Sequence, residues 1–76
     1  MSRASEYNYI IPANISKLID ERGLKRNAFA SQNGYGVQEF SDMLNGRKII
    51  KAIDIVKIAK ALGVTPNELF GIEKAS

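Results

Sequence analysis

The chain contains no cysteine and no histidine. Without cysteine there is no disulfide framework, and without either residue a zinc centre lacks its usual thiolate and imidazole ligands. The same two absences remove most nucleophile and base pairs used in covalent catalysis. No HExxH and no phosphate-cradling glycine loop is present, the serines have no partner base, and acidic pairs occur only as Asp20-Glu21 and the scattered Glu39 and Asp42. No catalytic residue, cofactor or metal is therefore expected, and a reducing cytoplasm is the natural compartment. Long hydrophobic runs are missing as well. No stretch approaches the ~20 apolar residues of a membrane span, and the opening MSRASEYNY lacks the apolar segment of an export signal. A soluble, intracellular protein with no membrane partner is expected. Seventy-six residues without a repeat make one small domain, near the lower limit for a core that holds without staples.

Excess charge is also small, eleven basic residues against eight acids giving +3. Its distribution is more informative. From Arg22 to Lys51 there are six basic residues (Arg22, Lys25, Arg26, Arg47, Lys48, Lys51) and two acids. They cluster at the two ends of a segment, Arg26 to Gly46, that reads as two short helices around a tight turn. Such clusters suit a polyanion, although an ordinary solvated surface is the plainer explanation of charge alone.

Within that segment Phe29 and Ala30 share a helical face, and Asn33-Gly34 is a turn because glycine accepts the positive φ that a sharp reversal needs. Val37, Phe40, Met43 and Leu44 then recur at helical spacing, leaving Gln38, Glu39, Ser41 and Asp42 on the remaining surface. Ala30 is small enough for the two helices to cross closely at a steep angle. Asn45-Gly46 closes the second helix. The first helix, before the motif, should run from Pro12 to Arg22, with Ile11, Ile15, Leu18 and Ile19 inward and Gly23 as its stop. Leu24 should seal the corner that follows. After the connector, Ala52, Ile55, Val56, Ala59 and Leu62 spell a fourth helix whose apolar face Ile53 and Ile58 broaden, with Lys57 and Lys60 turned to solvent. Thr65-Pro66-Asn67-Glu68 is a capping box that opens a fifth helix ending near Phe70, with Val64 stapled to Leu69.

A small residue, glycine four positions on, apolar residues six and nine positions beyond it, then Asn-Gly and a basic pair resembles the helix-turn-helix family of the lambdoid phage repressors and Cro. The resemblance runs without gaps from about Ile11 to Phe70. It implies an all-α, compact five-helix domain in which helices 2 and 3 form the helix-turn-helix. It also implies a double-stranded DNA partner, with Val37, Gln38, Glu39 and Asp42 at the base-reading positions. For these, Gln38 suits the major-groove edge of adenine, Val37 a thymine methyl, and the two acids a cytosine amino group. Glu39 has an equally good alternative: as the third residue of its helix it can bond back toward Gly36 and favour the dipole. Lys25, Arg26, Tyr35, Asn45, Arg47 and Lys48 are the phosphate candidates. Lys25 and Arg26 stand where the family commonly has Ser-Gln, an unfavourable choice at a positive helix end that a nearby phosphate would make favourable. Tyr35 and Asn33 depart from the smaller and apolar residues usual in the turn, so core packing competes with a phosphate contact for Tyr35.

The family commonly pairs Arg and Glu where this chain has Ile19 and Leu44, which are expected to meet as an apolar pair. Resemblance places a dimer surface at Ile49, Val64, Pro66 and Phe70, with core packing the simpler role for Phe70. That patch suits a weak homodimer tightened on DNA. Residues 1–10 lack helical period and read as an N-terminal arm, whose Arg3 could reach a groove or whose Tyr7 and Tyr9 fold back on the domain. Residues 11–71 are then the DNA-binding domain, with fraying from Gly71 and a flexible tail over 72–76. The expected function is a sequence-specific DNA-binding transcriptional regulator, a repressor acting as a dimer, with this domain the whole protein. A protein-interaction module, such as a toxin-neutralising antitoxin or an accessory subunit, is the alternative that the acids on the recognition helix favour.

Overall fold

The computed structural model describes residues 3–72. Within them lie five helices and no strand: α1 (Arg3–Glu21), α2 (Arg26–Gln32), α3 (Val37–Leu44), α4 (Ala52–Leu62) and α5 (Pro66–Phe70). None of these helices is long and apolar enough to cross a membrane. The last four fall where hydrophobic spacing puts them. The long α1 packs against α3, α4 and α5, while α2 rests on α3 and α4 on α5.

The first helix departs from expectation. It starts at Arg3, so the stretch read as an arm is helical from there on, and Pro12 lies inside the helix. Proline signals a helix start because its fixed φ suits a helix, while further along it costs a hydrogen bond and strains the preceding turn by about 3 kcal/mol. Burial opposes that cost: Ile11, Pro12 and Ile15 all face the core. Tyr9 does not fold back, being 77% exposed. The side chains of Arg3 and Tyr7, and residues 73–76 of the tail, lie outside the described residues.

At the other end, fraying does not begin at Gly71. That glycine takes φ 77°, its N–H donates to Glu68 O and that of Ile72 to Asn67 O, which is a closed helix end. It also sits against α1, where a Cβ would meet Ile10 Cγ2 at 3.5 Å and Asn14 Nδ2 at 3.6 Å. Asn14 Nδ2 donates to Leu69 O at 2.9 Å, tying α5 to α1. The last helix therefore holds the first one in place over its middle turns.

The core comprises α1's Ile11, Ile15, Leu18 and Ile19, the motif's Phe29, Ala30, Tyr35, Phe40 and Met43, and the inner faces of α4 and α5. Ile19 is wholly buried and Leu44 half-buried against the core, so the position of a common ion pair is apolar on both sides. Four apolar residues expected inside are not, the exposed Ala52 at the start of α4 among them. Ile53 is 70% exposed and Val56 about half, because α4 directs Ile55, Ile58, Ala59 and Leu62 inward and the helical period carries Ile53 and Val56 away from them. Leu24 shapes the corner with its backbone, N–H to Ile19 O at 3.0 Å, while its side chain stays 43% exposed.

Candidate nucleic-acid interface

The interface is organised by the turn between α2 and α3. Gly34 takes φ 80°, and the Tyr35 N–H returns to Ala30 O at 2.9 Å, reversing the chain in a few residues. Asn33, unexpected there, donates its side-chain amide to Phe29 O at 2.8 Å and so satisfies a carbonyl at the end of α2. Ala30 is fully buried at the crossing. Phe40 packs with Phe29 and Tyr35, ring centroids 5.7 and 5.6 Å away, and locks α3 across α2.

Tyr35 is the clearest revision among the site candidates. Its ring is buried and its hydroxyl donates to Asp54 Oδ1 at 2.7 Å, with Lys57 Nζ 4.1 Å above the ring. The phenol is held protonated well above its usual range, by burial first, then by the bond to Asp54 and the charges of Asp54 and Glu39. A hydroxyl committed to a carboxylate is poorly placed for phosphate, so Tyr35 is a packing and positioning residue. Burial disfavours the charged form of Asp54. Bonds from Tyr35 and the Lys51 N–H, with Lys57 and Lys48 nearby, outweigh this and hold its carboxyl below the usual range. Asp54 thus joins the turn to the start of α4, where it also caps the helix through Lys51 N at 3.0 Å.

On α3, Gly36 N–H donates to Glu39 Oε1 at 3.3 Å, and Lys48 Nζ bonds Glu39 Oε2. The Lys48 bond first and the Gly36 bond second lower the Glu39 pKa. Glu39 therefore takes the capping role that competed with base reading. Gln38 Nε2 donates to Asp42 Oδ1 at 3.0 Å. Only the NH2 end of an amide suits a carboxylate, so Gln38 keeps its oxygen and one N–H for a base edge. Val37 is about half exposed beside it.

The connector folds back on α3, the N–H groups of Arg47 and Lys48 both donating to Asp42 O at 2.8 and 3.1 Å. This brings two phosphate candidates beside the recognition helix. Arg47 Nη1 lies 4.0 Å from Asp42 Oδ1, and at the other end of the motif Arg26 Nη2 lies 3.2 Å from Asp20 Oδ2. Lys25 forms no ion pair among the described residues. An open recess of about 140 Å³ lies between α2 and α3, lined by Arg26, Asn27, Val37, Phe40, Ser41, Leu44 and Asn45. Asn45 Nδ2 reaches Ser41 Oγ at 3.4 Å on its rim. Candidates from both ends of the motif, Arg26 and Asn45, thus line one recess with Val37.

Sequence reading missed Asn27 and Ser41 in the recess, and the supporting Asp20, Asn33 and Asp54. Asp54 had a signal, an acid at the third position of a helix. Asp20 had none, since its partner is six residues away across a corner.

A buried small residue where α2 meets α3, a glycine turn, an exposed polar face on α3 and basic residues at both ends define a helix-turn-helix DNA-binding domain. Residues 14–75 match the family model of the Cro/C1-type HTH DNA-binding domain, and the chain belongs to that family. No curated protein and no solved structure shows significant similarity to the chain. The protein is accordingly a DNA-binding transcription regulator, not an enzyme, and its partner is double-stranded DNA.

Proposed function

We propose that this regulator is a cytoplasmic repressor that binds its operator as a dimer and reads base edges through Gln38, with Val37 beside it. The observation that supports this most is the recess where Arg26, Asn27, Ser41 and Asn45 converge next to Val37. It offers a phosphate several donors at the margin of the exposed face of α3. Arg47 and Lys48 lie beside the same helix, against its Asp42 and Glu39, and take further phosphates. Asp42 orients Gln38 and can accept from a cytosine amino group on a neighbouring base pair. Lys25, at the head of α2, adds charge and forms no ion pair among the described residues.

Two copies would place their α3 helices in successive major grooves, about 34 Å apart. Ile49 and Pro66 are exposed, and Val64 and Phe70 are half-buried against the core with part of each side chain outward. Such a patch suits a weak dimer that DNA stabilises by holding two copies side by side. Blocking polymerase is the simplest consequence of occupying an operator.

Selection of bound sequences from random duplexes tests this reading. A palindromic site should be enriched, and Gln38→Ala should cost about 1–3 kcal/mol per half-site on it while leaving non-specific binding and its salt dependence nearly unchanged. If no sequence is enriched, operator reading fails, and the acids of α3 point instead to a protein partner of the antitoxin or accessory-subunit kind.

A further inference from the structure

Each of the three strongest phosphate candidates is already held by a carboxylate of its own chain: Arg26 by Asp20, Arg47 by Asp42, and Lys48 by Glu39. Two of these acids have other work. Glu39 caps α3 and Asp42 holds the Gln38 amide. Asp20 does not. It lies near the end of α1, outside the helix-turn-helix, and its carboxylate bonds only Arg26 among the described residues.

We propose that Asp20 is an internal competitor for DNA, a carboxylate that occupies Arg26 in the free protein and must be displaced when Arg26 takes a phosphate. The inference rests on Arg26 being a phosphate ligand, as proposed above. The chemistry of the exchange is simple. Carboxylate and phosphate oxygens both accept charge-assisted bonds from a guanidinium. The Arg26 and Asp20 side chains are 49% and 63% exposed, so the exchange happens in water and neither ion is stranded. The pair therefore shifts the binding equilibrium modestly, by up to about fivefold for an exposed ion pair.

Displacement has a second consequence. The exposed pair is itself screened by salt, so its competition fades as salt rises and the salt dependence is slightly shallower than the number of phosphate contacts implies. A helix of the scaffold thus lowers overall affinity modestly without touching DNA. Sequence preference is untouched, because Arg26 meets the backbone of any duplex alike.

Titration of a random-sequence duplex and of the selected site, each over a range of salt, tests the proposal with four variants. Asp20→Asn should bind both duplexes roughly two- to fivefold more tightly at low salt, with the gain shrinking as salt rises and the log-log salt slope therefore slightly steeper. Glu21→Gln changes net charge equally at the adjacent exposed residue, and should have a much smaller effect. In the Arg26→Ala background, Asp20→Asn should do no more than Glu21→Gln, and Asp20→Glu in the intact protein should restore wild-type behaviour.

Two failures are distinguishable. If Arg26→Ala weakens binding but Asp20→Asn is silent, or gains equally with and without Arg26, Asp20 is no competitor although Arg26 still meets phosphate. If Arg26→Ala itself leaves affinity and slope unchanged on both duplexes, the phosphate role of Arg26 is wrong and the proposal falls with it.

Discussion

At the scale of the residue, Tyr35 and Asp54 show how a turn beside a DNA-reading helix is held without a larger core. The bond between them joins residues nineteen apart and crosses from the turn to α4. Its removal in Tyr35→Phe should cost about 1–2 kcal/mol at neutral pH, since it leaves a partly buried carboxylate with one donor fewer. The pH dependence should change at both limbs. The folded pKa of Tyr35 is raised, so its contribution is intact below the unfolded value of about 10 and is lost as pH rises above that. That of Asp54 is lowered, so its contribution is present above the unfolded value of about 4 and is lost as pH falls through the folded one. Urea unfolding across that range should show a flatter alkaline limb in Tyr35→Phe than in the wild type, and a shallower acid limb. Parallel profiles would mean that the bond does not form in solution.

At the scale of the element, the crossing of α2 over α3 depends on a methyl group. Ala30 is fully buried where the helices meet, and Phe40 packs between Phe29 and Tyr35 beside it. A longer side chain must push α2 away or leave its preferred rotamer, so Ala30→Leu should destabilise by about 1–3 kcal/mol despite adding apolar surface. A thermal melt unchanged from wild type would show that the crossing is looser than this geometry. The recess between the two helices should widen in the same variant and weaken binding on every duplex, because Arg26 lines it from α2 and Val37 and Ser41 from α3.

At the scale of the whole molecule, five helices of one small chain must supply both a platform and a pairing surface. The described residues leave Ile49 73% exposed ahead of α4, with Pro66 exposed and Val64 and Phe70 half-buried nearby in sequence. Sedimentation should show a largely monomeric protein at micromolar concentration, and a two-to-one complex on a palindromic duplex. Ile49→Asp should weaken assembly on the full site by about tenfold while leaving half-site binding unchanged, since a buried carboxylate without a partner is costly at an interface. Equal losses on half-site and full site would move the dimer surface elsewhere.

Local rules made most of the fold legible. The bounds of α2, α3 and α4 follow from apolar periodicity, Gly34 from its turn, and α5 from Thr65, whose hydroxyl accepts the Glu68 N–H at 3.4 Å. The family was reached as a resemblance, carried by Ala30, Gly34, Phe40, Met43, Asn45-Gly46 and the basic pair after them, and by a match without gaps from about Ile11 to Phe70. What spacing could not contain was the long-range partnering of polar groups. A proline looks like a helix start until the residues around it are found buried, and a tyrosine looks like a surface contact until an aspartate on another helix takes its hydroxyl. The same holds at the interface. Composition marks Arg26, Arg47 and Lys48 as cations near a polyanion, but only the folded chain sets Asp20, Asp42 and Glu39 against them, since such pairs depend on distances across corners that no sequence period records.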